Sequence, residues 1–255
     1  MPEFAANLSM LFNELPYLDR FSAAAEAGFR AVEVLYPYKF AAKETQRALL
    51  ANGLELVLVN APPPNYTGGE PGFAAVPTSV DRFQRDVRRV LRYSEVLQVK
   101  NIHLMAGVAQ GDVARDTFVQ NLQWAADYAP YQQFTIEPQN TTDQPGYFLN
   151  TYEQAIDILG RVGRHNVKLQ YDAYHAHMIH GDALAVWQSF GKYAGHVQIA
   201  AAPNRAEPAK GSNSFDALFE AIDQSSFKGW VSAEYKPSTK RTEDSLNWMS
   251  ALQAA

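Results

Sequence analysis

The feature that most constrains the fold of this 255-residue chain is a regular alternation of short apolar segments with amphipathic ones. The apolar segments are rich in Val, Ile, Leu and aromatic residues, which is typical of strands buried on both faces of a parallel sheet. The predicted strands are Phe4–Ser9, Ala31–Tyr36, Leu54–Asn60, Asn101–Met105, Phe134–Glu137, Val167–Asp172, His196–Ala200 and Trp230–Glu234. The segments between them carry apolar residues at helical spacing, as Phe83, Val87 and Val90 do in DRFQRDVRRVLRYSEVL.

This repeating strand–helix unit, with no sign of a second core, predicts an α/β fold: a closed (β/α)8 TIM barrel, as a single domain over residues 1–255. A doubly wound open sheet is the structural alternative. It is disfavoured because no G-x-G-x-x-G follows the first strand and no G-x-x-x-x-G-K-[ST] occurs in the chain. In a barrel, the long connections after the third, fifth and seventh strands all lie on the catalytic face.

Composition argues against several classes of partner. The formal net charge of -5 argues against nucleic acid, because phosphate backbones bind basic surfaces. No apolar run is long enough to span a bilayer, and the N-terminal stretch does not read as a signal peptide. We therefore expect a soluble, cytoplasmic chain with no membrane partner, and a homo-oligomer is compatible with the composition. The chain has no cysteine, so it has no disulfide framework.

Four short apolar runs, FTIE, VKLQYD, HVQ and WVSAE, each end in a side-chain oxygen that suits a metal ion: Glu137, Asp172, Gln198 and Glu234. Because the carboxyl ends of parallel strands meet on one face of a barrel, we expect these side chains to lie together. Each acid alone is equally well explained as an ordinary ion-pair partner. A divalent cation would satisfy all of them at once, and hard oxygen donors favour Mg²⁺ or Mn²⁺ over zinc. The pattern therefore predicts a metal-dependent active site.

The chemistry expected of such a site is proton transfer next to a carbonyl group. Four protein ligands leave two octahedral positions for substrate oxygens, such as a carbonyl and the adjacent hydroxyl. Glu137 and Glu234 lie on strands three apart in the predicted ring, so we expect them to face each other across the substrate. Two carboxylates placed in this way are able to remove a proton from one carbon and return it to the next.

Two histidines and two cations are candidates for substrate binding. His175 lies just beyond the sixth strand and His103 lies within the fourth; a histidine satisfied by its neighbours is the alternative for both. Lys236 follows the last strand, where alternation predicts that it points toward the site. Arg205, in the loop after the seventh strand, is predicted to clamp a carboxylate with a mobile guanidinium, with a solvated arginine as the alternative. His196 is interpreted as structural. The two cations predict a small anionic substrate.

Seven stretches of this sequence resemble the hydroxypyruvate isomerase family: FAANLSMLF, AGFRAVEVLYPY, HLMAGV, IEPQNTTDQPGYFLN, LQYDAYHA, HVQIA and EYKP. This family is a branch of the xylose-isomerase-like barrels that also holds 2-oxo-tetronate isomerases and, more distantly, ketose 3-epimerases. The resemblance runs nearly end to end. It implies that Glu137, Asp172, Gln198 and Glu234 are metal ligands and that the two glutamates form the acid/base pair. The sequence departs from the family in residues 204–214, where Asp-Arg-His-Glu-Pro is common and Asn-Arg-Ala-Glu-Pro stands here.

The leading hypothesis is a metal-dependent aldose–ketose isomerase that interconverts hydroxypyruvate and 2-hydroxy-3-oxopropanoate (tartronate semialdehyde), or acts on a close hydroxy-oxo sugar acid. A ketose 3-epimerase or a 2-oxo-tetronate isomerase would use the same metal and glutamate pair. A multi-zinc endonuclease on abasic DNA is opposed by the acidic charge and by the absence of an acid-x-His pair at Asn204 and Ala206. The alternative from another class is a non-catalytic barrel that binds a sugar acid. The altered loop 204–214 is the sequence feature that supports this alternative.

Overall fold

Eight parallel strands close into a barrel in the order of the chain. The computed structural model describes residues 1–61, 72–208 and 213–249, apart from the side chains of residues 213 and 214. The strands are β1 (Phe4–Asn7), β2 (Ala31–Glu33), β3 (Glu55–Asn60), β4 (Asn101–His103), β5 (Gln133–Ile136), β6 (Val167–Asp172), β7 (Ala194–Ile199) and β8 (Val231–Ala233). The ring closes where β8 pairs with β1, with Ser232 opposite Ala5. The predicted (β/α)8 barrel is therefore confirmed.

Helices connect the strands, and two of them lie between β6 and β7. The helices are α1 (Asp19–Glu26), α2 (Ala42–Ala51), α3 (Val80–Leu97), α4 (Gly111–Tyr128), α5 (Tyr152–Val162), α6 (Ala173–His180), α7 (Ala183–Phe190) and α8 (Asn213–Asp223), with 3-10 turns at Pro37–Lys39, Pro77–Ser79, Gly191–Tyr193 and Thr242–Ser245. Within the described ranges, no helix combines the length and the apolar character that crossing a bilayer requires.

Helix α5 illustrates how local sequence sets an element and how that element supports the site. The Thr151 side chain accepts a hydrogen bond from the Gln154 backbone N–H and caps the first turn. The helix ends at Gly163, whose φ of 58° is a left-handed conformation that glycine adopts without strain. On the buried face, the Tyr152 hydroxyl donates to the backbone carbonyl of Asp172 at 3.0 Å. The helix thus fixes the end of β6, where a candidate ligand stands.

The barrel interior is polar, whereas the layer between strands and helices is apolar. Val32 and Phe134 of the strands belong to one buried cluster with Phe118 and Ile158 of the helices, and burial of each such side chain stabilises the fold by roughly 1.5–3 kcal/mol. Glu33 of β2, by contrast, makes contacts with side chains of β7, a strand that is not its neighbour. Such a contact has to cross the inside of the barrel.

All the strands except β6 differ from the predicted bounds by one to three residues, and the changes at β2 and β8 concern the site. The predicted strand Ala31–Tyr36 ends at Glu33, where the pairing of β2 with β3 shifts register between Val32 and Glu33. The strand Trp230–Glu234 ends at Ala233, so Glu234 lies one residue beyond β8. Neither change moves a candidate ligand away from the carboxyl end of the barrel.

Candidate active site

Most of the predicted site residues surround one cavity of about 140 Å³ at the carboxyl ends of the strands. The side chains that line it include Glu137, Glu234, His103, His175 and Arg205. Each comes from a strand end or from the segment that follows a strand, as the parallel barrel requires. The cavity is small, so a ligand inside it would contact most of these groups at once.

Glu137 is buried and has a neutral amide as its side-chain hydrogen-bond partner. It is 4% exposed, and its Oε2 accepts a hydrogen bond from Gln139 Nε2 at 2.8 Å. His103 Nδ1 lies 3.8 Å from the same oxygen, too far for a hydrogen bond. Burial, reinforced by the nearby Asp172 carboxylate, raises the pKa of Glu137 to about 8. Burial also lowers the pKa of His103 to about 3, so this histidine is neutral.

Glu234 and Asp172 share the Arg205 guanidinium. Arg205 Nη2 donates to Glu234 Oε2 and lies 3.2 Å from Asp172 Oδ2. Burial raises the pKa of Glu234, and the Arg205 guanidinium opposes that rise. Glu234 Oε1 also accepts a hydrogen bond from Asn7 Nδ2 at 3.0 Å. The charged form of Glu234 therefore has a cation, Arg205, at hydrogen-bond distance. Among the described residues, the hydrogen-bond partner of the Glu137 carboxyl group is the neutral Gln139 amide.

The backbone holds Arg205 in place. Ala201 and Ala206 exchange backbone hydrogen bonds of 2.8 and 3.2 Å, which close the turn that carries Arg205. Arg205 itself has a φ of 53°, and its carbonyl accepts a hydrogen bond from the Lys236 N–H at 2.7 Å. Its side chain is 17% exposed. The guanidinium predicted to be mobile is instead anchored on two carboxylates. The rest of the altered loop, residues 209–212 and the side chains of 213 and 214, lies outside the described residues.

Hydrogen bonds decide which nitrogen of His175 carries the proton. The backbone N–H of Asn140 donates to His175 Nδ1 at 3.1 Å, which makes Nδ1 an acceptor. The proton of the neutral ring is then on Nε2, which lies 3.7 Å from Asp172 Oδ2. Burial lowers the pKa of His175 to about 4, so the ring stays neutral at physiological pH. His175 thus lines the cavity and carries an N–H donor on the side of its ring that faces Asp172.

Gln198 lies deeper in the barrel interior and is fully buried. Its Oε1 accepts a hydrogen bond from Gln170 Nε2 at 2.7 Å, and its Nε2 donates to Glu33 Oε1 at 2.8 Å. A carbonyl oxygen has two lone pairs, so Oε1 keeps one for a further ligand. His196 Nε2 lies 2.7 Å from Glu33 Oε2, within hydrogen-bond distance. Sequence reasoning missed Glu33; the one signal for it was a charged residue inside the apolar run AVEVL.

Lys236 lies outside the cavity, contrary to the prediction from strand alternation. It is exposed and lines a separate surface cavity of about 390 Å³ together with Glu14 and Thr242. The reason is that β8 ends at Ala233, so the alternation of a strand no longer applies two residues after Glu234. Arg205 is therefore the cation that the described residues place among the candidate ligands.

The residues present suit a divalent cation. Glu137, Asp172 and His175 form a buried group whose candidate ligand atoms lie within 4.8 Å of one another. Because His175 Nδ1 accepts from Asn140 and Nε2 carries the proton, the two carboxylates are the metal donors of this group. Glu137, Asp172 and Glu234 bring three carboxyl groups into a site that contains one guanidinium. Ionising all of them leaves an excess of negative charge, which a hard cation with oxygen ligands would balance.

Comparison with known proteins places this chain in a family. The model of the xylose isomerase-like TIM barrel family matches residues 21–252. The chain is 43% identical over 255 residues to the 2-oxo-tetronate isomerase of Cupriavidus necator, with 98% of each chain covered. It is 38% identical over 255 residues to the hydroxypyruvate isomerase of Escherichia coli K12, again with 98% of each chain covered. The expected enzyme class, an isomerase, is thereby confirmed.

Solved structures agree on the fold. A crystal structure described as AP endonuclease, family 2, from Brucella melitensis has a TM-score of 0.93 and 40% identity, with 98% of each chain covered. D-allulose 3-epimerase from a Methylomonas species has a TM-score of 0.73 at 19% identity, covering 98% of this chain and 90% of its own, which shows a shared fold alone. The chain therefore belongs to the xylose isomerase-like TIM barrel family, among relatives named hydroxypyruvate isomerase and 2-oxo-tetronate isomerase.

Proposed function

We propose that this protein interconverts hydroxypyruvate and 2-hydroxy-3-oxopropanoate, or a close hydroxy-oxo acid such as a 2-oxo-tetronate, by proton transfer between adjacent carbons. The observation that carries the proposal is a pair of buried glutamates, Glu137 and Glu234, lining one small cavity with a guanidinium between the second glutamate and Asp172. The names of the relatives at 38–43% identity support the same reaction class.

The divalent cation belongs to this proposal, with Mg²⁺ or Mn²⁺ as the ion. Glu137, Asp172, Gln198 and Glu234 would hold it, since each offers an oxygen and a hard ion prefers such donors. When bound, it would polarise the substrate carbonyl and so acidify the neighbouring C–H bond. The Nε2–H of His175 is placed to serve the substrate rather than the cation, because Nδ1 already accepts from Asn140.

The side chains of the cavity divide the remaining work. One glutamate takes the proton from the CH₂OH carbon of hydroxypyruvate, and the other returns a proton to the former carbonyl carbon. The hydroxyl proton moves to the former carbonyl oxygen, so the product is an aldehyde with the same atoms as the substrate. His175 and Arg205 line the cavity, which supports the proposed roles: His175 would donate a hydrogen bond to a substrate oxygen, and the Arg205 guanidinium would attract the substrate carboxylate.

Solvent exchange tests the proposal directly. Purified protein with Mg²⁺ or Mn²⁺ should incorporate deuterium from deuterium oxide into hydroxypyruvate or a 2-oxo-tetronate during turnover, and a chelator should abolish it. Free ketoses serve as the comparison, because an epimerase would exchange the proton of a ketose instead. Absence of exchange in every substrate, together with absence of metal binding, would overturn the proposal.

Two alternatives are separated by simple measurements. A non-catalytic sugar-acid-binding barrel would bind the same acids in the wild-type and Glu137→Gln proteins but show no rate to lose. An endonuclease would bind duplex DNA at low salt, which the net charge of -5 disfavours. The cytoplasmic location and the homo-oligomer remain predictions.

A further inference from the structure

A chain of side-chain amides runs through the barrel interior and ends on a buried carboxylate. Thr135 Oγ1 donates to Gln170 Oε1 at 2.8 Å, Gln170 Nε2 donates to Gln198 Oε1 at 2.7 Å, and Gln198 Nε2 donates to Glu33 Oε1 at 2.8 Å. Each amide is used once as a donor and once as an acceptor. All the members are at most 1% exposed, so water does not replace a lost partner.

Glu33 fixes the direction of this chain. Its Oε1 accepts from Asn7 Nδ2 at 2.6 Å as well as from Gln198, and its Oε2 lies 2.7 Å from His196 Nε2. A carboxylate only accepts hydrogen bonds. If the Gln198 amide turned over, its oxygen would face the Glu33 oxygen and its NH₂ group would face the NH₂ group of Gln170. Both contacts would be repulsive, so Gln198 keeps its oxygen on the side away from Glu33.

A second route connects Glu33 to the other end of the site. Asn7 Nδ2 donates both to Glu33 Oε1 and to Glu234 Oε1, the latter at 3.0 Å. The Asn7 amide is itself oriented, because its Oδ1 accepts from the backbone N–H of Ser9 at 2.8 Å. The Glu33 carboxylate therefore contacts one proposed metal ligand, Gln198, directly and reaches a second, Glu234, through Asn7.

We infer that Glu33 is a positioning residue: it determines that the Gln198 amide offers its oxygen, not its NH₂ group, to the metal, and it holds Glu234 through Asn7. This inference rests on the proposed function. Only the amide oxygen is able to bind a hard cation, since the NH₂ group has no free lone pair to give. The direction of the amide chain is thus a requirement for metal affinity and not merely for folding.

Glu33→Gln is the decisive variant. The glutamine has the same size but offers a single acceptor oxygen and an NH₂ group of its own to three N–H donors. Reversal of Gln198 relieves the resulting clash and turns its NH₂ group toward the site; Gln170 reverses with it, because the Thr135 hydroxyl is able to accept a hydrogen bond as well as donate one. We expect Mn²⁺ affinity, measured by isothermal titration calorimetry and by electron paramagnetic resonance on folded metal-free protein, to fall by about 10- to 100-fold, the usual effect of losing a partner that orients a ligand. The kcat at saturating Mn²⁺ should fall more than the substrate KM changes.

Thr135→Val is the matched control. Thr135 lies at the far end of the same chain, so its loss removes one buried hydrogen bond while Glu33 still sets the direction. Its Mn²⁺ affinity should stay within about threefold of wild type, below the roughly 10- to 100-fold loss expected when an orienting partner is removed. Glu33→Asp keeps an acceptor-only group with a shorter reach and should lose affinity by an intermediate, about three- to tenfold, amount; it carries the test if Glu33→Gln does not fold.

The outcomes separate the two claims. The role of Glu33 would be overturned if a folded Glu33→Gln or Glu33→Asp protein bound Mn²⁺ with wild-type affinity. It would also be overturned if Thr135→Val lost as much Mn²⁺ affinity as Glu33→Gln. In both cases the proposed function would stand. Wild-type protein that neither binds Mn²⁺ nor exchanges substrate protons would overturn the proposed function, and the role of Glu33 with it.

Discussion

The two glutamates of the cavity are equally buried but differ in what surrounds them. Glu137 and Glu234 are both 4% exposed. Glu137 accepts a hydrogen bond from the neutral amide of Gln139, whereas Glu234 contacts the Arg205 guanidinium and the Asn7 amide. The cost of ionising a buried carboxyl group depends on such partners more than on exposure. Burial raises the pKa of both glutamates, but the Arg205 guanidinium lies at hydrogen-bond distance from Glu234 and not from Glu137, so the ionised form of Glu234 has the better partner.

The largest expected effect is the loss of catalysis when either glutamate becomes a glutamine. Glu137→Gln and Glu234→Gln should each reduce the isomerisation rate by about 10²- to 10⁴-fold, because each removes one partner in the proton transfer. Because Glu137 and Glu234 have different hydrogen-bond partners, we expect the two variants to differ in their free energy of unfolding. In the metal-free protein at pH 7, a glutamine replaces the protonated Glu137 with little change, whereas Glu234→Gln should cost about 1–3 kcal/mol because Arg205 loses a carboxylate partner.

Activity assays and thermal unfolding of the metal-free proteins check this prediction. A glutamine variant that keeps wild-type turnover would remove that residue from the proton transfer. Equal stability losses in both variants would show that the two sides of the cavity do not differ in the way proposed.

The next effect in size concerns Arg205. Arg205→Met keeps the apolar stem and removes the guanidinium that contacts Asp172 and Glu234. At neutral pH the metal-free protein should lose about 3 kcal/mol of unfolding free energy, since breaking a buried ion pair leaves charges without a partner. Because Mn²⁺ binds the same carboxylates in our proposal, added Mn²⁺ should recover part of the loss.

Chemical denaturation with and without Mn²⁺ measures the effect of Arg205. Arg241→Met is the control, because Arg241 is an exposed arginine that also pairs with an acid, Glu243. The control should change stability by less than about 0.5 kcal/mol. Similar losses in both variants would mean that Arg205 acts as an ordinary surface arginine.

A smaller effect follows from the pKa of Glu137. This pKa is about 8 in the folded metal-free protein, against 4.5 for an unperturbed glutamate. Between these values the folded state binds a proton that the unfolded state lacks, so the free energy of unfolding falls as pH rises, by at most about 1.4 kcal/mol per pH unit. A ligand carboxylate has to lose that proton, so Mn²⁺ affinity should rise by up to about tenfold per unit toward pH 8 and level off above it.

Titrations of Mn²⁺ between pH 6 and 9 test the pH effect, and unfolding curves over the same range test its sign. In Glu137→Gln, residue 137 should no longer contribute to the pH dependence of the free energy of unfolding or to that of Mn²⁺ affinity. A stability that rises with pH in the metal-free wild type would contradict the assigned direction.

The sequence was a good guide to residues whose position depends on strand ends and a poor guide to the rest. Glu137, Asp172 and Glu234 were predictable because parallel strands bring their carboxyl ends together whatever the connecting helices do. Lys236 was placed wrongly because alternation stops where β8 stops. Glu33 was missed because its importance lies in its partner Gln198, 165 residues away in the chain. A contact that crosses the barrel leaves no local pattern beyond a charged residue in the apolar run AVEVL.

The smallest expected effect concerns Tyr174, which contacts Arg205 through its ring and Asp143 through its hydroxyl. Its ring centroid lies 5.0 Å from Arg205 Cζ, and its hydroxyl donates to Asp143 Oδ2 at 2.7 Å. Tyr174→Phe keeps the ring and should cost about 1 kcal/mol of stability. Tyr174→Leu also removes the cation–π contact, which is worth about another 0.5–1 kcal/mol. Arg205 then keeps its contacts with Asp172 and Glu234 but loses the ring that packs against its guanidinium.

Michaelis kinetics with hydroxypyruvate show which support orients Arg205. We expect KM to rise by about threefold in Tyr174→Leu, the equivalent of the lost cation–π energy, and to change less in Tyr174→Phe. Equal KM values in the two variants would assign the orientation of Arg205 to the Asp143 hydrogen bond. In both variants the pH dependence of Mn²⁺ affinity should stay close to that of wild type, because the titrating proton belongs to Glu137, whose hydrogen-bond partner is Gln139 and not Arg205.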